Sequence, residues 1–137
     1  MKKALFSLLL TLFAAVAFGQ STEVVLKDAS GAAIDTVTNT ATGYLQARIL
    51  APVQAVGIQA VLTKLSGTTS GSVKVFGSID GVNFAQISSD TLAAANVASQ
   101  TKIFKIEQPA FTFFRVVFTG AGTHSTTISA KALVIKK

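Results

Sequence analysis

The sequence predicts an all-β chain, an antiparallel, jelly-roll-like β-sandwich of eight or nine strands. Three observations carry this expectation. Apolar and β-branched residues alternate with polar ones along most of the chain, the period-2 pattern of half-buried strands, and no segment sustains a helical period. Clusters of Gly, Asp, Asn and Ser interrupt the alternation at short intervals, where these residues favour turns. Eight or nine strands within about 115 residues pack as two sheets face to face. One long link at 89–99 suits the sheet-to-sheet crossings of a jelly roll.

Taken in order, residues 1–20 read MKKALFSLLLTLFAAVAFGQ. Lys2 and Lys3 open an apolar run from Ala4 to Phe18, followed by Gly19 and Gln20. This is the layout of a secretory signal peptide cleaved near Gly19 or Gln20. The run is about 15 residues, short of the roughly 20 that span a bilayer. An uncleaved membrane segment is the alternative, with the membrane touched only through residues 1–20. The Phe18-Gly19-Gln20 ending resembles export signals of Bacteroidetes-group bacteria, which implies an extracellular or envelope location. Residues 21–137 are expected to form a single sandwich domain.

Within that domain, 23–27 is a first short strand, stopped by the turn residues Asp28-Ala29-Ser30-Gly31. Strands follow at 33–38 and 44–50, the latter with Tyr44, Gln46, Arg48 and Leu50 on one face. Pro52 belongs at a bend, since it lacks a backbone donor. The long strand 53–65 turns Val56, Ile58, Ala60 and Leu62 one way, and Gly57 suggests a bulge or a close backbone approach. SGTTSG at 66–71 reads as a hairpin loop. Strand 72–79 sets Val73, Val75 and Gly77 against Lys74 and Phe76. Asp80-Gly81 is the sharpest turn signal in the chain, with 84–88 returning from it. The Ala-rich stretch 92–98 reads as a loop or one helical turn. Strand 101–107 ends at Pro109. Strand 111–119 sets Phe111, Phe113, Arg115 and Val117 against Phe114, Val116 and Phe118. After Gly120-Ala121-Gly122, the last strand runs over 124–135 with Thr126, Ile128, Ala130, Ala132 and Val134 on one face. Phe76, Phe84, Phe104, Phe114, Val116 and Phe118 are expected in the core or at a subunit contact.

Composition narrows the function. Half of the 137 residues are hydrophobic and only 13% are charged, so the chain has the apolar material for a core. Without cysteine there is no disulfide framework, Cys-ligated zinc site or thiol nucleophile. A single histidine, His124, rules out a multi-histidine metal site. Setting aside Lys2 and Lys3, 10 bases face 6 acids, and they are scattered. That lacks the basic, aromatic-interleaved face of a nucleic-acid binder, so no nucleic-acid partner is expected.

Few residues point to chemistry. The acids Glu23, Asp28, Asp35, Asp80, Asp90 and Glu107 fall mostly at turns or strand ends, and their spacing proposes no glycosidase pair. His124, in GTHST, reads as a surface histidine at a turn. No nucleophile elbow, phosphate loop or dinucleotide fingerprint occurs. The chain therefore reads as a non-enzyme with no cofactor and no metal. Asp80 and Asn83 offer oxygens that calcium favours. However, the EF-hand register would need ligands at Asp80, Val82, Phe84 and Thr91, which fails. The simpler reading has Asp80-Gly81 shaping a hairpin that Asn83 closes by a side-chain bond to backbone. Arg115 sits in an aromatic strand, where it can stack on a partner or cover neighbouring rings with its stem. Asp80, Asn83 and Arg115 are the candidate ligand or partner contacts.

The succession DTVTNT (35–40), TKLSGTTSGSVKVFGSIDGVNFAQIS (63–88) and FFRVVFTGAGTHST (113–126) resembles small β-sandwich structural proteins of phages and prophages of Bacteroidetes-type hosts. The segment Gly77-Ser78-Ile79-Asp80-Gly81-Val82-Asn83-Phe84 is also similar, more weakly, to discoidin-type carbohydrate-binding jelly rolls. The first resemblance implies a virion or assembly role, from which the export-type segment 1–20 departs; the second implies a glycan ligand. Together with the apolar composition, these readings lead to one expectation. The chain is a non-catalytic, exported or virion-associated structural protein that forms a homo-oligomer or larger assembly. The alternative is a secreted module that binds a carbohydrate or cell-surface polymer.

Overall fold

A computed structural model describes residues 21–50, 53–107 and 109–136. The signal or membrane segment expected at 1–20 and the bend expected at Pro52 lie outside the described residues. Ten strands form: β1 (Ser21–Val25), β2 (Ile34–Thr38), β3 (Thr42–Arg48), β4 (Val53–Gly67), β5 (Gly71–Ser78), β6 (Ala85–Gln86), β7 (Leu92–Ala93), β8 (Ser99–Glu107), β9 (Phe113–Gly120) and β10 (His124–Lys136). They build two antiparallel sheets. In the first, which we term sheet A, β4 lies between β8 and β10, and β1 and β2 share the far side of β10. The second, sheet B, runs β3-β9-β5, with β6 and β7 both on the outer side of β5.

The chain changes sheet between β2 and β3, β3 and β4, β4 and β5, β7 and β8, β8 and β9, and β9 and β10. This alternation is the double-wound course of a jelly roll. The loop at 66–71, expected as a hairpin, is instead an arch between sheets: β4 pairs with β8 and β10, and β5 with β9. Gly67 and Gly71 turn the chain there with φ of 71° and 131°. Side chains on them would collide with the backbone of Thr123 and Thr119, so this arch requires glycine at both ends. Gly57, by contrast, makes no bulge and no close approach. It sits in regular register with Leu133 and Lys105, and a Cβ on it would meet nothing within 4 Å. In 92–98 the expected loop or helical turn begins as β7, because buried Leu92 pairs beside Val73 and anchors the segment to β5.

The core follows the period of the strands. β4 turns in Val56, Ile58, Ala60 and Leu62, β10 turns in Ile128, Ala130, Ala132 and Val134, and β9 meets them with Phe114, Val116 and Phe118. Phe104 joins them from β8. Phe76 and Phe84 depart from the core expectation: both are half-buried, Phe76 by the outward parity of β5 and Phe84 by its place just after a turn.

His124 corrects the surface reading. It is 4% exposed, because it has the same parity as Thr126 and Ile128 and β10 already starts at it. Its ring packs on Phe118 at 5.8 Å between centroids. Its Nδ1 shares a 3.0 Å hydrogen bond with Thr126 Oγ1, which in turn lies 3.0 Å from Thr69 Oγ1. The turns above it are joined by backbone bonds, Asn39 N to His124 O, Gly120 N to Ala41 O, Thr68 N to Thr123 O and Ala121 N to Ser70 O.

Candidate functional site

The two outward faces of the sandwich differ sharply in chemistry. Sheet B contains no Asp or Glu in any of its strands. Its outward side chains include Tyr44, Gln46 and Arg48 from β3, Phe113, Arg115 and Val117 from β9, and Lys74 and Phe76 from β5. The antiparallel register places Gln46, Arg115, Phe76 and Gln86 in one row across four strands.

Arg115 is the centre of that face. Its guanidinium lies 4.2 Å from the Tyr44 ring centroid and 3.7 Å from that of Phe84. Its Nη2 and Nε donate to Gln46 Oε1 at 2.8 and 3.3 Å. Ring quadrupoles attract the cation from both neighbours, and the Gln46 amide fixes its rotation. Gln46 is held in turn, since its backbone exchanges bonds with Lys27 at 2.8 and 2.9 Å on one side and its strand pairs with β9 on the other. In the sequence Arg115 is flanked by Phe113 and Phe114. In the structure Phe114 points into the core, and Phe113 lies under Arg48 with 5.3 Å from the guanidinium carbon to the ring centroid.

Asp80 and Asn83 shape the turn that delivers Phe84. Asp80 Oδ1 accepts from Ser78 Oγ at 2.7 Å and from the Val82 and Asn83 amides at 2.8 Å, and Oδ2 accepts from Asn83 Nδ2 at 2.7 Å. These donors, the Asn83 side chain foremost, hold the Asp80 carboxyl far below the usual carboxylate range. The closure is thus made by the Asp80 carboxylate, with the Asn83 side chain bonding to it rather than to backbone. With its oxygens engaged in this way, Asp80 is a turn builder that sets Phe84 against Arg115. Among the described residues no three of His, Cys, Asp and Glu gather as a metal site would need.

Sheet A presents the opposite character. Val25, Ile34, Ile103, Leu133 and Ile135 all point outward and are 39–65% exposed. The register places Val25, Lys131, Gln59 and Ile103 in one row and Leu133, Gly57 and Lys105 in the next. Lys131 pairs with Glu23 at 2.9 Å and Lys105 with Glu107 at 2.8 Å, so the charges on this face are balanced within the chain. Where β1 ends and β2 begins, a shallow groove of about 420 Å³ opens between Val25, Ile34, Val61 and Lys131. Nothing in the sequence singles out this face, because its aliphatic residues come from four separate strands.

No protein-family model matches the sequence, and no curated protein matches it. Among solved structures the chain is similar to a capsid chain of the T13 particle of infectious bursal disease virus, with a TM-score of 0.56, 13% identity, and 85% of this chain and 31% of that one covered. It is also similar to a quarter of a Clostridium thermocellum xylanase 10B chain that comprises CBM22-1 and GH10 modules, with a TM-score of 0.51, 12% identity, and 86% and 25% covered. A third similarity is to a point mutant of a family 29 carbohydrate-binding module, with a TM-score of 0.50, 13% identity, and 85% and 93% covered. At these identities the likeness is one of fold, a jelly-roll sandwich that serves both in capsids and in carbohydrate-binding modules.

Proposed function

We propose that this chain is a non-catalytic structural module of an exported or virion-borne assembly, and that it associates with a second copy of itself through the outer face of sheet A. The observation that carries this reading is the set of five exposed aliphatic side chains on one sheet face, where Lys131 and Lys105 are already paired with Glu23 and Glu107. Exposed apolar surface gathered on one face is the usual sign of an association site. Charge balance favours a second copy as the occupant. Two sheet A faces meet without like-charge repulsion, whereas two sheet B faces would oppose unpaired cations. Four strands about 4.8 Å apart and about 30 Å long present roughly 550 Å² in projection. That is the same order as the roughly 800 Å² per partner of a standard interface. The capsid and binding-module neighbours support a non-enzymatic role, and the engaged Asp80 and buried His124 agree with it.

Sedimentation velocity of the full chain at micromolar concentration tests this. The wild type should sediment as a dimer or larger species. Ile103→Lys and Leu133→Lys, both at exposed positions, should sediment as folded monomers. A wild type that stays monomeric, or lysine variants that associate as well as it does, overturns the reading.

A further inference from the structure

We infer that the outer face of sheet B is a binding platform for an acidic polysaccharide, with its carboxylates held by Arg48, Arg115 and Lys74. This face lies opposite the one proposed for association and does not depend on that reading.

The first argument is charge. Sheet B carries three outward cations and no acid, and none of the three has a carboxylate within ion-pair distance among the described residues. In the other sheet, by contrast, Lys102, Lys105 and Lys131 each pair with a carboxylate, while Lys64 donates to the Asn96 side-chain oxygen. Asp28 lines the same surface depression as Arg48, and its Oδ1 is taken by the Ser30 amide, the Ser30 hydroxyl and the Ala32 amide.

The second argument is geometry. Arg48 pairs with Phe113, Arg115 lies two residues further along β9, and Lys74 pairs with Val117, two residues further again. One strand across and two residues along at each step, the three cations fall on a straight diagonal with about 8 Å between successive Cα positions. A repeated charge on an extended polymer fits a line of this kind, and a single small anion does not.

The third argument is the state of the central guanidinium. Its guanidinium carbon lies over both the Tyr44 and the Phe84 ring, and its Nε and Nη2 are engaged by Gln46. Nη1 makes no hydrogen bond among the described residues, and with the second proton of Nη2 it forms a fork of the kind that takes a carboxylate bidentately. The same covering argues against nucleic acid. Bases need free aromatic faces for stacking, and here the rings of Tyr44, Phe84 and Phe113 already lie against arginine. Beside the diagonal, Ser72 and Thr119 offer hydroxyls, and Val117 and Phe76 offer apolar surface in a shallow groove. A sugar chain presents both hydroxyls and C–H faces to such a surface.

Binding of the full chain to polygalacturonate, measured by affinity electrophoresis and calorimetry, tests this, with the methyl-esterified polymer and oligo-dT as comparisons. The free-acid polymer should bind, and binding should fall with added salt and vanish on esterification. Oligo-dT should bind more weakly. Arg115→Lys keeps the charge and loses the fork, and should weaken binding about ten-fold or more. Lys74→Gln, which touches neither Tyr44 nor Phe84, should weaken it and reduce the salt dependence even if the Arg115 variant proves unstable. Lys131→Gln on the opposite face should change nothing. The inference is overturned by no binding to polygalacturonate, by equal binding to the ester or to oligo-dT, or by an Arg115→Lys or Lys74→Gln protein that folds and binds like the wild type.

Discussion

Phe114→Ala measures how firmly the two sheets are packed together. Phe114 is fully buried on β9, the strand flanked by β3 and β5, with Ala47 and Gly77 as its register partners. Burying a phenylalanine side chain is worth about 1.5–3 kcal/mol in transfer from water. Truncation also leaves a void of roughly 100 Å³, and at about 24 cal/mol per Å³ this adds about 2.4 kcal/mol if nothing moves in. Both neighbouring strands are tied to β9 by continuous ladders, so little collapse is available. The expected loss is about 4–5 kcal/mol, near 15–20 °C in Tm for a domain of this size. Urea unfolding followed by circular dichroism gives the difference directly. Phe76→Ala, half-buried on the outside of the adjacent strand, provides the contrast and should cost less than half as much. A Phe114→Ala loss below about 1 kcal/mol with an unchanged m-value, or one equal to that of Phe76→Ala, would show that the inward parity of β9 is wrong.

Three further outcomes are expected, two from particular contacts and one from the sequence of residues 1–20. Gly120→Ala places a Cβ in collision with the Asn39 carbonyl oxygen and 2.8 Å from His124 Nε2, and should cost about 1–3 kcal/mol in a denaturant melt. The Asp80 carboxyl should titrate by NMR well below its ordinary 3.8. Because its folded pKa is depressed, the stability it contributes is present above the unfolded value and is lost only as pH falls through the folded one. The turn should therefore survive at pH 4, and Asp80→Ala should remove that acid dependence while loosening Phe84 from Arg115. If residues 1–20 act as an export signal, the intact mass of the chain released by its host should lack Met1 to Gly19; a mass that includes them supports the membrane segment instead.

The sequence is legible wherever a property is local. Alternation places the long strands within a few residues, and the inward faces of β4, β9 and β10 are readable from their period alone. His124 misleads because a lone residue after Gly-rich turn chemistry looks like part of the turn. Its even-numbered parity with Thr126 and Ile128 is the available signal. The arch at 66–71 looks like a hairpin because glycine at both ends serves either geometry, and only the sheet order separates them. Phe76 has the outward parity of its strand, and expecting it in a core or contact weighs hydrophobicity above that parity. The partners of Arg115 are beyond reach for a different reason. Tyr44 lies far earlier in the chain, and what brings the two together is the adjacency of β3 and β9, a non-local pairing that no short-range pattern encodes.

The chain ends carry a consequence of their own. Ser21 stands opposite Ile135, so both ends of the described chain leave sheet A at one corner. The turns near Asn39, Thr68 and Ala121 close the other end, over His124. A domain tethered through Ser21 would stand like a post on its support, with β10 rising about 40 Å along it and the capped turns at the tip. Its two broad faces would then look sideways, one toward a neighbouring post and the other toward whatever lies in the gaps between them. A dense array of such posts would share contacts laterally while still offering a charged flank to soluble polymer, with no change in the fold of any one of them.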